Sequence, residues 1–259
     1  MLTKIRRLTL KKKNKSKIVC LTAYSKNIAE EIDQYADLIL VGDSLGSVLY
    51  NFDTTRKVNL KMMIEHSKSV RKGVKKSLMI VDMPFDTYKN KSQALKNCKK
   101  VLKETKCDGI KLEGGRELNK IIKYLINNKI PVMGHIGITP QTIRGKYRYK
   151  GRTAFEKKKL LKDSKSLEEA GVFAIVLECI ERKLSQEITK TIKIPTIGIG
   201  SSKYCDGQIL VTDDILGLTN SKMKFVKKYI NLKKNIRNAV KKFQTDVKDG
   251  SYPSIKYSY

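Results

Sequence analysis

Short apolar runs alternate with segments of helical period, almost without interruption, from residue 18 to about 246. Repeated strand and helix units of this kind build parallel sheets, which leaves few folds open. Strands are expected at 18 to 22, 37 to 42, 77 to 82, 108 to 113, 130 to 134, 172 to 178, 193 to 198 and 208 to 212. Helices are expected near 25 to 35, 60 to 74, 91 to 105, 116 to 128, 154 to 170, 181 to 191 and 222 to 246. With 259 residues, the chain suits a single (β/α)8 TIM barrel with a short N-terminal helix, one catalytic domain over 1 to 259. The eighth unit has the weakest pattern, and an open doubly wound sheet is the alternative. Against it, the first strand runs into Thr22-Ala23-Tyr24-Ser25 instead of a GxGxxG turn.

Four of the apolar runs stop at an acid. Asp43 ends Leu38-Ile39-Leu40-Val41-Gly42, Asp82 ends Leu78-Met79-Ile80-Val81, Glu113 ends Gly109-Ile110-Lys111-Leu112, and Glu178 ends Ala174-Ile175-Val176-Leu177. In a barrel all four lie at the carboxyl ends of strands and face one mouth, where such folds place their chemistry. Asp43, Asp82 and Glu113 in one pocket repel by roughly 4 kcal/mol per pair at about 4 Å and an effective dielectric near 20. A cation must offset that repulsion. All-oxygen ligands without clustered His or Cys favour Mg²⁺ or a similar hard ion, which keeps positions for water or substrate.

Lys111 precedes Glu113 by two residues, so the strand's period puts both side chains on the barrel interior. Three carboxylates, a divalent ion and a lysinium sum to zero, and a monoanionic substrate can then enter. Glu178 need not bind the ion; neighbouring negative charge and partial burial would suit it to accept a proton from a weakly acidic carbon. Ser44 begins a turn whose hydroxyl and N–H can meet a substrate carboxylate. His135 closes the fifth strand and faces the same mouth, either as a donor to a substrate oxygen or as a structural imidazole. His66 lies within a helical pattern and reads as a helix-surface or packing residue. Gly198-Ile199-Gly200-Ser201-Ser202 occupies a position where many barrels bind phosphate, although glycines also serve tight turns.

The net charge of +30 invites a polyanionic partner, but the lysines are spread through every helix and no nucleic-acid motif or basic stripe emerges. Weak, salt-sensitive adhesion is expected rather than specific nucleic-acid binding. The first seventeen residues hold eight Lys or Arg and no acid, which could serve an organelle or nucleic-acid arm but better suits a helix over the barrel floor. No run reaches the roughly 18 apolar residues that span a bilayer. Five widely spaced cysteines without a CxxC pair read as reduced thiols, so a cytoplasmic location is expected.

Two connections, 43 to 59 and 135 to 153, are longer than a βα turn needs and would rise over the mouth, with Gly145 to Lys150 alternatively a mobile surface excursion. Within and around them run Val41-Gly42-Asp43-Ser44-Leu45-Gly46, Asp82-Met83-Pro84-Phe85, Lys111-Leu112-Glu113-Gly114-Gly115, Gly134-His135-Ile136-Gly137-Ile138-Thr139-Pro140-Gln141, Leu177-Glu178-Cys179 and Asp206-Gly207-Gln208-Ile209-Leu210-Val211. In order and spacing these resemble the ketopantoate hydroxymethyltransferase family, from about residue 18 to Pro253. The resemblance implies transfer of a one-carbon unit from 5,10-methylenetetrahydrofolate to 3-methyl-2-oxobutanoate, giving 2-dehydropantoate in pantothenate synthesis. It also implies magnesium ligation by Asp43, Asp82 and Glu113, oxoacid binding by Asp43, Ser44, Asp82 and Lys111, and Glu178 as proton acceptor. A cyclic homo-oligomer, a decamer, is implied as well. Ser25, Asn51-Phe52-Asp53 and Gly200-Ser201-Ser202 depart from the family pattern, beside the site rather than in it. A metal-dependent carbon–carbon lyase acting on a 2-oxoacid is the alternative on the same barrel.

Overall fold

The computed structural model describes residues 2–143 and 148–259, so the Gly145 to Lys150 excursion lies partly outside the described residues. The strands are β1 (Ile18–Thr22), β2 (Leu38–Val41), β3 (Leu78–Asp82), β4 (Gly109–Glu113), β5 (Val132–Gly137), β6 (Ala174–Glu178), β7 (Thr196–Ile199) and β8 (Gly207–Leu210). Each pairs in parallel with the next, and β8 pairs with β1, closing the barrel that the sequence pattern implies. The helices are α1 (Leu2–Lys13), α2 (Lys26–Ile32), α3 (Leu45–Leu49), α4 (Leu60–Gly73), α5 (Lys91–Thr105), α6 (Asn119–Asn127), α7 (Ala154–Ala170), α8 (Arg182–Thr191), α9 (Thr212–Ile215) and α10 (Leu232–Lys248).

Alternation along the strands sorts the core into two layers. Leu38, Leu40, Leu78, Ile80, Met133, Ala174, Val176, Ile197 and Ile209 fill the barrel interior. Their neighbours in sequence, among them Ile39, Val41, Met79, Val81, Ile175 and Leu177, face outward and pack beneath the helices. Both faces are dry, which is why these strands read as continuous apolar runs. Helix starts follow local chemistry: Asn59, Asn90 and Thr153 each cap their helix by accepting from a backbone N–H three residues on.

The basic N-terminal segment forms α1, and Leu8 from it enters the interior layer from below. Its lysines find acids at strand starts: Lys11 lies 2.6 Å from Asp37, Lys12 2.8 Å from Asp206 and Lys4 3.6 Å from Asp108. Those acids also accept backbone N–H groups of a neighbouring strand or its start, from Val19, Thr196 and Met79 respectively. These three lysines thus tie the floor helix to strand register.

The boundaries differ from expectation where loops intervene. β5 extends to Gly137, so His135 sits inside the strand rather than closing it. The connection after β2 folds into α3 and a 3-10 turn, Thr55–Lys57.

Residues Met1–Val211 form one compact unit and Thr212–Tyr259 a second. In the second, the chain from 222 to 231 is not helical, because Tyr229 N–H donates to Ile215 O and Asn231 caps α10. α10 buries none of its residues: Ile236, Val240, Phe243 and Val247 form an exposed apolar stripe, and Phe243 meets Tyr252 edge-on at 5.3 Å.

Candidate active site at the carboxyl ends of the strands

Sheet register brings the ionisable residues into adjacent positions. Asp82 on β3 is level with Lys111 on β4, and Glu113 with His135 on β5. The consequence is an ion pair of 2.9 Å from Lys111 Nζ to Asp82 Oδ1. Glu113 Oε1 lies 3.4 Å from His135 Nδ1, and Glu178 Oε2 on β6 lies 3.2 Å from His135 Nε2. Asp43, two residues beyond β2, donates its N–H to Asp82 Oδ2 at 3.1 Å. Asp43, Asp82, Lys111, Glu113 and His135 are all buried, while Glu178 is partly open.

Charge in so dry a space moves the proton equilibria. Burial first, then the charges of Glu113 and Asp82, raises Asp43 well above the ordinary aspartate range. Burial also raises Asp82, although the Lys111 ammonium works against it. Burial acts on Glu113 in the same direction, but the His135 imidazolium and Lys111 outweigh it and Glu113 is held low. Burial and the nearby Lys111, 3.3 Å from Nδ1, oppose a charge on His135; Glu113 and Glu178 prevail and push it up to about 9. The two carboxylates thus favour the imidazolium form of His135, against burial and the Lys111 ammonium. Lys111 is raised too, since three carboxylates outweigh its desolvation.

Ser44 opens α3, and its hydroxyl lies 2.8 Å from the Tyr24 hydroxyl. His66 is more than a packing residue: Nδ1 meets Tyr24 O at 2.7 Å and Nε2 meets the Tyr50 hydroxyl at 2.9 Å, linking the loops after β1 and β2. The Gly200-Ser201-Ser202 turn is already engaged, for Ser201 Oγ donates to Leu177 O and accepts from Ile180 N–H on either side of Glu178. Gly137 has φ +108, and a Cβ there would stand 2.1 Å from Glu178 O. That close crossing places the start of the β5 loop beside Glu178.

Sequence reasoning gave no role to three residues that the fold brings in. Gln141 is buried and contacts Asp43, Glu113, Met83 and Tyr88. The Tyr88 hydroxyl donates to Gln141 Oε1 at 2.6 Å. Asp163 on α7 accepts from Arg116 N–H and from Lys159, and packs where a Cβ on Gly115 would meet it at 2.5 Å. It anchors the turn that follows Glu113. Gln141 stood inside a recognised motif, but Tyr88 and Asp163 carried no comparable signal.

Asp43, Asp82 and Glu113 share the pocket, yet among the described residues no three His, Cys, Asp or Glu side chains converge closely enough to hold a metal ion. Each carboxylate instead leans on its own partner: Asp82 on Lys111, Glu113 on His135, and Asp43 on Gln141. Mg²⁺ asks for less than three, since it is commonly bound through one or two carboxylates with water and substrate completing the shell. The adjacent Asp43 and Asp82 meet that requirement, and buried Asp82 Oδ1 has no hydrogen-bond donor despite its ion pair with Lys111. The donor set fits a hard dication.

A family profile described as ketopantoate hydroxymethyltransferase matches residues 3–255. The 3-methyl-2-oxobutanoate hydroxymethyltransferase of Pelagibacter ubique (strain HTCC1062) is 61% identical over 250 residues, 96% of this chain and 97% of the relative. The protein of the same name from Helicobacter pylori (strain ATCC 700392 / 26695) is 48% identical over 262 residues, 98% of this chain and 97% of the relative. Among solved structures, a phosphonopyruvate hydrolase complexed with oxalate and Mg²⁺ has a TM-score of 0.62 at 12% identity, covering 98% of this chain and 93% of that one. A 2,3-dimethylmalate lyase of the PEP mutase/isocitrate lyase superfamily has a TM-score of 0.61 at 12% identity, covering 95% and 88%. At such identities the likeness establishes the barrel alone. The sequence matches carry more, and by them this chain belongs to the ketopantoate hydroxymethyltransferase family.

Proposed function

We propose that this chain transfers a hydroxymethyl group from 5,10-methylenetetrahydrofolate to 3-methyl-2-oxobutanoate, giving 2-dehydropantoate for pantothenate synthesis. The observation that carries the reading is the row Asp82, Lys111, Glu113, His135 and Glu178 across four adjacent strands, in a chain of this family. One end of the row attracts an anion through Lys111. The other holds Glu178, the partly open carboxylate, ready to receive a proton.

In this reading Asp43 and Asp82 would hold Mg²⁺, Glu113 beside His135 would add a third carboxylate to the site without closing on the ion as the side chains now stand, and Ser44 and Lys111 would receive the oxoacid carboxylate. When bound, the ion supplies Lewis-acid stabilisation of negative charge on the keto oxygen. Glu178 takes the proton from C3 of the oxoacid; one water releases the one-carbon unit from the folate at the formaldehyde level, its two hydrogens passing to the two folate nitrogens as both C–N bonds break, and C3 bonds to that carbon while Glu178 returns its proton to the new hydroxyl oxygen. His135 lies 3.2 Å from Glu178 Oε2 through a buried Nε2 that has no formed hydrogen bond, and in its protonated form it adds positive charge beside the developing anion. Ser44 after β2 and Gln141 after β5 stand at this mouth. A carbon–carbon lyase on this barrel has only fold likeness in its support.

We also place the enzyme in the cytoplasm, consistent with five free cysteines and with the lack, among the described residues, of a helix long and apolar enough to cross a membrane. We infer a cyclic homo-oligomer, with the exposed stripe of α10 as contact surface.

Glu178→Gln tests the chemistry. Oxoacid and Mg²⁺ binding should persist, while deuterium exchange at C3 falls by roughly 100-fold or more. Unchanged exchange removes Glu178 from its role, and turnover without a one-carbon donor excludes the transferase.

A further inference from the structure

We propose that Gln141 is a positioning residue whose side-chain amide orients the Asp43 carboxylate while its backbone N–H holds Glu113, so that the residue ties the start of the loop after β5 to both. The proposal rests on the function proposed above. Gln141 is 98 residues from Asp43 in the chain and 28 from Glu113, so only the closed barrel brings the three together.

The hydrogen-bonding valence of this side chain is saturated. A glutamine side chain offers two N–H donors and one carbonyl oxygen. Here Nε2 donates to Asp43 Oδ2 at 2.8 Å and to Met83 O at 2.9 Å, and Oε1 accepts from the Tyr88 hydroxyl at 2.6 Å. The backbone N–H of the same residue donates to Glu113 Oε2 at 3.1 Å. A flipped amide would aim its oxygen at a carboxylate and a carbonyl, both acceptors, so the partners leave one orientation. Glutamate would suffer the same conflict and add a fourth carboxyl group to the pocket. Asparagine is one methylene short of this reach.

Neutrality matters as much as geometry. A lysine or arginine in this place would bind Asp43 and cancel the charge that a dication needs. An amide orients the carboxylate and leaves that charge in place. The residue is also mounted rigidly: Pro140 precedes it, and Thr142 and Ile143 N–H both donate to Thr139 O, closing a tight turn around it.

The test compares wild type with Gln141→Met, which keeps length and volume but has no donor, and with Tyr88→Phe, which removes the bond to Oε1. Melting temperature, Mg²⁺ affinity by calorimetry, oxoacid KM, kcat and C3 deuterium exchange are measured for each. Gln141→Met should melt within a few degrees of wild type, bind Mg²⁺ about 10-fold more weakly, and exchange C3 hydrogen on the order of 10-fold to 100-fold more slowly. Tyr88→Phe should show the same pattern at smaller size. Wild-type Mg²⁺ affinity and exchange in Gln141→Met overturn the proposal. If that variant unfolds, a wild-type exchange rate and Mg²⁺ affinity in Tyr88→Phe overturn it instead. Wild-type protein that exchanges no C3 hydrogen refutes the proposed function, whereas weakened Mg²⁺ binding in Gln141→Met still supports the brace.

Discussion

His135 is caught between two carboxylates and an ammonium, and the outcome of that contest is measurable. Its folded-state pKa of about 9 exceeds the ordinary 6.5, so its charged form stabilises the fold fully below about pH 6.5 and that contribution is lost as pH rises through about 9. Metal-free wild type should therefore lose melting temperature between pH 7 and pH 9 more steeply than His135→Gln, as differential scanning calorimetry will show. At this scale the sequence was legible where a side chain's position follows from its strand. Asp43, Asp82, Glu113, Lys111 and Glu178 could be placed because a strand end points at the mouth whatever the loops do. Gln141, Tyr88 and Asp163 could not be assigned a role, because each works through a partner that another part of the chain delivers: Tyr88 meets Gln141 across 53 residues, and Asp163 meets Arg116 across 47. Polar residues of this kind leave no periodic trace.

The elements divide in the same way. Strands buried on both faces announce themselves as apolar runs, and Asn or Thr caps mark several helix starts. The start of α10 was hidden, since residues 222 to 231 have helical spacing but hydrogen-bond to residues near 215 instead. Among the elements, α1 makes the plainest energetic claim. Leu8 is 2% exposed within the barrel interior, so Leu8→Ala removes a buried side chain and leaves a cavity. The expected cost is about 3 kcal/mol, read as a lower urea midpoint, with the oxoacid KM unchanged because the mouth lies at the opposite ends of the strands.

For the whole molecule, the stripe Ile236, Val240, Phe243 and Val247 is an apolar surface that a solitary chain would present to water. If it is the contact surface of a cyclic assembly, Val240→Asp together with Phe243→Asp should lower the mass found by sedimentation equilibrium, and wild type should sediment as a multiple of 29.5 kDa. Unchanged mass in the double variant would locate the contacts elsewhere. The charge of +30 adds long-range repulsion between subunits, so the assembled form should gain from added salt. The floor helix has a kinetic corollary. α1 covers the floor and side chains fill the barrel above it, so product and oxoacid compete for the one site at the mouth. Product supplied at the outset should accordingly raise the apparent KM for the oxoacid and leave the limiting rate where it was.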